Sequence, residues 1–162
     1  MISIRLLTRS DDFTDLIALS REFFKEYETY QKDFFKINEL NAQDIIHYFN
    51  SFCEQESRMA FIALDGDRII GYITVYVKEQ ANYWRFNKIG EISGLMVNMQ
   101  YRKLGIGKNL LKEAIAFFSA QKLIYFTVYT AVANQAGLDF YQKNGLVPLY
   151  TTFIGSTPVT IH

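Results

Sequence analysis

Residues 68–77 constrain the fold more than any other stretch of the chain. In this β-rich run Ile69, Gly71, Ile73, Val75 and Val77 alternate with Ile70, Tyr72, Thr74 and Tyr76. Both faces of an extended strand would then be apolar, so the strand is central and covered on both sides. A second run, 59–64, precedes it across Asp65-Gly66-Asp67, a strong hairpin signal. A further strand is expected over 89–97. The chain must therefore build a sheet with a layer on each face.

Helical spacing supplies the layers. Ser10 reads as an N-cap with Asp11 and Asp12 in the first turn, followed by Phe13, Leu16, Ile17, Ser20, Phe23, Phe24, Tyr27 and Tyr30 at helical intervals. A second helix starts at Asn41, with Ile45, Tyr48, Phe49 and Phe52 as its stripe. A third follows residues 102–108 and runs to about Gln121, burying Leu110, Leu111, Ala114, Ile115, Phe117 and Phe118. A fourth opens at Asn134 and stops at Asn144-Gly145, since glycine is favoured just past a helix. Strands over 3–8, 123–132, 146–154 and 158–161 complete the order β-α-α-β-β-β-α-β-α-β-β. Mixing without strict alternation predicts an α/β fold, a mixed, mostly antiparallel twisted sheet flanked by helices. At 162 residues one domain is expected.

Composition narrows the function. Seventeen Lys and Arg balance seventeen Asp and Glu. That argues against an extended basic face for nucleic acid or a polybasic membrane patch. Cys53 is alone, and His47 and His162 are the only histidines, too few for a typical Cys/His zinc site. The first residues lack a signal-peptide apolar region, and no uncharged apolar run approaches a membrane span, so the expected location is the cytoplasm. The aromatic content of 16% implies a core rich in rings and a ring-lined pocket.

The segment with chemical content is a strand, then Arg102-x-x-Gly105-x-Gly107, then a helix. Chance would supply roughly 0.04 copies of this spacing in such a chain. Glycines at a helix entrance let backbone N–H groups approach an anion, and the helix N-terminus adds partial positive charge. Arg102, Lys103 and Lys108 place cations around the same turn. The expected ligand is a phosphate or pyrophosphate. A P-loop is excluded by the missing Gly-Lys-Ser/Thr ending, and no GxGxxG follows a strand here.

The chain resembles the GCN5-related N-acetyltransferase (GNAT) family along nearly all of its length. The resemblance rests on Gly94-Leu95-Met96-Val97 running into Arg102-Lys103-Leu104-Gly105-Ile106-Gly107-Lys108, and on Asn134 through Phe140-Tyr141 to Gly145. It departs from the pattern at Met99, where proline is common, at Lys103 and Gly137, where glycine and alanine are common, and at Leu146, where phenylalanine follows the glycine.

The resemblance implies an enzyme that transfers acetyl from acetyl-CoA to a primary amine, a small molecule or a peptide, by direct attack on the thioester. Residues 102–108 would cradle the pyrophosphate. Leu95, Met96 and Val97 would line the pantetheine arm, with Leu95 N–H aimed at the thioester carbonyl. Asn134 would cap its helix and offer an amide to the same arm. Tyr141 would lie near the CoA sulfur and protonate the leaving thiolate or hydrogen-bond to it. Glu91 would take the proton that a protonated amine must lose, directly or through water. Glu22 and Glu26 are weaker alternatives, better suited to attracting a cationic substrate. The competing reading is a CoA-binding sensor of the same fold without turnover.

Cys53 is expected to be buried on the second helix and His47 to be a surface residue. Phe23, Phe24, Tyr27, Tyr30, Phe34 and Phe35 are expected mostly in the core, with some forming an acceptor wall. Tyr83-Trp84-Arg85-Phe86 is a ring-rich loop that suits a substrate lid, a homodimer contact or a self-anchored turn.

Overall fold

A computed structural model describes residues 1–159. Five strands form one sheet in the order β1-β2-β3-β4-β5: β1 (Ile2–Leu6), β2 (Arg58–Asp65), β3 (Arg68–Glu79), β4 (Lys88–Val97) and β5 (Phe126–Val128). The first four pair antiparallel, and β5 joins β4 in parallel. The expected central strand is β3, and its residues Ile69 to Val75 are all buried. The hairpin before it turns at Gly66, whose φ of +62° is the left-handed conformation that glycine adopts at no steric cost.

Helices α1 (Thr14–Tyr30) and α2 (Ala42–Ser51) cover one face, where Leu16, Phe49, Ile62 and Tyr72 interlock. Helix α3 (Ile106–Ala120) covers the other, where Leu110 and Leu111 pack on Ile70, Ile73 and Ile92. Fully burying each such aliphatic side chain contributes about 1.5–3 kcal/mol. Helix α4 (Gln135–Lys143) follows β5 in sequence, and its Phe140 packs against the α3-side core.

Four expectations change. Ser10 does not cap α1, which starts at Thr14. Asp11 is drawn back to β1 by Arg5 and the Thr8 N–H, and Asp12 instead accepts from the Thr14 N–H at 2.9 Å. The strand over 123–132 shrinks to Phe126–Val128, because β4 offers a partner only at Gly90, Glu91 and Ile92. No strand forms over 146–154. β-propensity reflects fit to a pleated, half-buried surface, and this segment has none, leaving Val147 and Phe153 exposed. Of the expected strand over 158–161, Pro158 and Val159 lie in no strand, and 160–161 fall outside the described residues.

Gly90 marks the tightest packing in the sheet. A Cβ there would lie 2.4 Å from the Phe118 ring, which stacks on Phe126 at 5.2 Å and packs against Phe117. Gly90→Ala is therefore expected to cost about 2 kcal/mol, as overpacking of a closed core does. Urea unfolding should show a lowered midpoint at unchanged slope, and an unshifted midpoint would mean that the ring moves freely.

Candidate active site

The site begins with an irregularity in β4. Thr74 faces Gly94 and Val75 faces Ile92, so Ser93 is an extra residue that bulges the strand. Pairing with β5 stops at Ile92, so the outer edge from Ser93 to Val97 lines an open slot. The Asn98 N–H donates to Ile70 O on β3 at 2.7 Å. Strand alternation then directs the Met96 N–H toward β3 and those of Leu95 and Val97 into the slot. Met96 itself is buried beneath α1 and α2, its sulfur 3.4 Å from Arg102 Nη2.

The loop after β4 is held from both ends. Asn98 Oδ1 caps the 3₁₀ turn Met99–Tyr101, and the Tyr101 hydroxyl donates to Asp65 at 2.9 Å. The Arg102 side chain turns inward: Nε donates to Val97 O at 2.9 Å and Nη2 pairs with Glu26 of α1 at 2.7 Å. Its guanidinium locks the loop to the slot, while Lys103 and Lys108 are the exposed cations of the turn. Lys103, standing where the resembled pattern has glycine, holds φ at +64°, a strain of about 1 kcal/mol for a residue with a Cβ. Gly105 follows at φ +83° and caps α3. The N–H groups of residues 103–108 find no acceptor among the described residues. They form an anion cradle reinforced by the helix dipole.

Helix α4 touches this cradle. A Cβ on Gly107 would lie 3.3 Å from the Phe140 ring and 3.9 Å from Val97 Cγ2, so slot, cradle and α4 meet at one point. Asn134 is held at both amide atoms: Oδ1 accepts from the Gly137 N–H and Nδ2 donates to Thr130 Oγ1, both at 3.0 Å, which leaves the second Nδ2 hydrogen without a partner among the described residues. A Cβ on residue 137 would lie 2.5 Å from that Nδ2, which accounts for glycine there. Tyr141 packs edge-on against Phe140 at 5.2 Å and reaches toward Tyr27 of α1. Burial, and secondarily Tyr27, pushes its phenol far up, so it keeps its proton at any working pH.

Glu91 is buried rather than at a solvated strand end. Lys78 Nζ lies 3.0 Å from Oε2 but off the line of a directed hydrogen bond, so the contact is an ion pair that leaves Oε2 without a directed donor. The Glu91 carboxylate at this contact distance raises the Lys78 amine.

On the α1/α2 side of β4 lies a cavity of about 570 Å³ whose inner end is Ser93 and Gly94. Phe23, Phe24, Tyr27, Phe34 and Phe35 wall it, so these rings line a space more than they fill the core. Beside Ser93 three hydroxyls meet, those of Tyr48 and Ser93 on the lining and that of Thr74 buried behind them: Tyr48 and Thr74 at 2.9 Å, Tyr48 and Ser93 at 3.1 Å, Thr74 and Ser93 at 2.8 Å. This cluster escaped the sequence reading. Its one available signal was Thr74, a polar residue inside an apolar central strand.

The remaining candidates fall outside the site. Cys53 follows α2 half-buried, with burial pushing its thiol up, and His47 is exposed. Glu22 is exposed and Glu26 is paired with Arg102. In the ring-rich loop Phe86 anchors on Tyr125 at 5.0 Å beneath Arg85, whereas Tyr83 and Trp84 pack on each other in solvent. Among the described residues no helix is long and apolar enough to cross a membrane.

A family model described as the acetyltransferase (GNAT) family matches residues 18–146. N-alpha-acetyltransferase 30 of Homo sapiens is 27% identical over 109 residues, covering 67% of this chain and 29% of that relative. The chain thus spans less than a third of that relative's length. Among solved structures, a mutant of the BH1408 protein from Bacillus halodurans superposes with a TM-score of 0.83 at 20% identity, covering 98% of this chain and 99% of that one. The aminoglycoside antibiotic 6'-N-acetyltransferase AAC(6')-Ih from Acinetobacter baumannii gives 0.75 at 15% identity, covering 99% and 100%.

Proposed function

The chain belongs to the acetyltransferase (GNAT) family, and on that premise we propose that it transfers acetyl from acetyl-CoA to a primary amine by direct attack on the thioester. One observation carries this reading: the open β4 edge and a cradle of unsatisfied amides converge where Gly107 meets Val97 and Phe140. The residues present fit the cofactor. Free N–H groups at 103–108 with Lys103 and Lys108 suit a pyrophosphate, and the N–H groups of Leu95 and Val97 suit an amide-bearing arm.

Acetyl-CoA supplies the activated acetyl group and a thiolate leaving group. Leu95 N–H donates to the carbonyl oxygen as charge develops there, an interaction worth a few kcal/mol of barrier. Tyr141, held protonated by burial, would donate a hydrogen bond to the departing sulfur, whose proton comes finally from solvent. Glu91 takes the proton from the amine through water, and Lys78 holds the carboxylate in place. Arg102 and Asn134 act by holding the loop and α4 in register with the slot.

Glu91→Gln should lower kcat/KM by about 100-fold near pH 6, the scale of general-base catalysis, while CoA affinity measured by calorimetry stays unchanged. An amine of pKa ~10 is almost wholly protonated there. As pH rises the free-amine fraction grows and the need for a base falls, so the deficit should shrink toward pH 9. Full activity across that range would assign the base to water or another carboxylate. Calorimetric CoA binding without thiol release on any amine would favour the CoA-binding sensor over the enzyme.

A further inference from the structure

From the walls of the cavity beside β4 we infer that the acceptor is a primary amine carried on a bulky apolar body, and that the hydroxyls of Tyr48 and Ser93, fixed from behind by buried Thr74, hold its nitrogen at the bulge; this rests on the acetyl-transfer reading above. About 570 Å³ is the size of a small-molecule pocket. Its surface is dominated by Phe23, Phe24, Tyr27, Phe35, Leu40 and Ile45.

The α1 carboxylates Glu26 and Glu28 do not line this cavity. Glu26 is bound to Arg102 at 2.7 Å, and Glu28 accepts the Ile37 N–H at 2.8 Å. Asp44 is the single carboxylate on the lining, and Lys36 on the same lining opposes it. A polyamine or an aminoglycoside would bring several ammonium groups into a ring-walled space with at most one counter-charge. Burying an ion without a partner is among the costliest arrangements a protein can make. An amine with one charge and an apolar body meets no such cost.

The hydroxyl cluster sits where that one nitrogen must go. Ser93 is the bulged residue itself, and its neighbours Gly94 and Leu95 carry the backbone that faces the slot. The Tyr48 and Ser93 hydroxyls on the lining have lone pairs to accept an N–H, and Thr74, fully buried behind them, fixes both before substrate arrives. Neutral acceptors also hold the amine without stabilising its protonated form as a carboxylate would.

Thiol release from acetyl-CoA should be measured with 2-phenylethylamine, a phenylalanine-headed dipeptide amide, spermidine and tobramycin. At least one of the two apolar amines is expected to exceed both polycations in kcat/KM by about tenfold or more. Comparing those two separates a free small amine from a peptide N-terminus as its source. Spermidine or tobramycin equalling the better apolar amine would overturn the inference while leaving acetyl transfer intact. If no amine is turned over, the acetyl-transfer reading fails. Calorimetry of 2-phenylethylamine against spermidine on the CoA-loaded protein then decides the pocket separately, and tighter spermidine binding would overturn it. Ser93→Ala should raise KM for the apolar amine threefold or more, with KM for acetyl-CoA unmoved. An unchanged amine KM would overturn the role of the hydroxyls.

Discussion

Replacing Gly105 with valine is expected to weaken CoA binding by about tenfold or more, ~1.4 kcal/mol. The reason lies in the backbone and not in a contact. A Cβ at this position would meet nothing within 4 Å, yet φ is +83°, where a β-branched residue is strongly disfavoured. Valine would pull the turn out of the left-handed region and swing the amides of 103–108 away from a common focus. Lys103 already holds one strained left-handed angle two residues earlier, so the loop has little room for a second. Gly107→Val would act differently. Its side chain presses on the Phe140 ring 3.3 Å from the Cβ position, so it should disturb α4 and Tyr141, lowering kcat as well as affinity. Calorimetry with CoA on variants whose circular dichroism matches the parent distinguishes the two. Unchanged affinity in a folded Gly105→Val protein would sink the assignment of this loop to pyrophosphate.

What could be read from the residues tracks how local the determining physics is. β3 announces its place because a strand buried on both faces needs apolar residues on both. The cap at Asn41, accepting from the Asp44 N–H, and the cap at Asn134 depend on one side chain and one amide three residues away. The cradle was legible for the same reason, since glycine spacing and a helix entrance are contiguous. The inward turn of Arg102 was not, because its partner Glu26 lies 76 residues earlier. The bulge at Ser93 is set by register against β3 and looks like uninterrupted strand in the sequence. Residues 146–154 misled because propensity describes a strand that has a neighbour, and the parallel pairing at β5 lasts three residues.

Tyr141→Phe is expected to lower kcat by about 100-fold, the scale of losing a positioned general acid, with little change in CoA affinity. Burial raises the phenol above its ordinary pKa of 10, so it stays a hydrogen-bond donor, and charge that develops on a departing sulfur is stabilised by that donor as the C–S bond breaks. The raised pKa fixes the sign of the pH effect. Tyr141 carries its proton throughout the range from about pH 6 to 9, so the loss on substitution should be uniform there. It should not shrink toward high pH, as it would for an acid that lost its own proton within that range. The Glu91→Gln deficit, by contrast, narrows as pH rises, so the two variants separate acid from base in one set of profiles. The defect of Tyr141→Phe should also diminish with an acyl donor whose thiol is more acidic, because such a leaving group needs less stabilisation. A structural role for Tyr141, as a ring packed on Phe140 alone, would leave kcat nearly intact in the phenylalanine variant, since the edge-on contact survives loss of the hydroxyl.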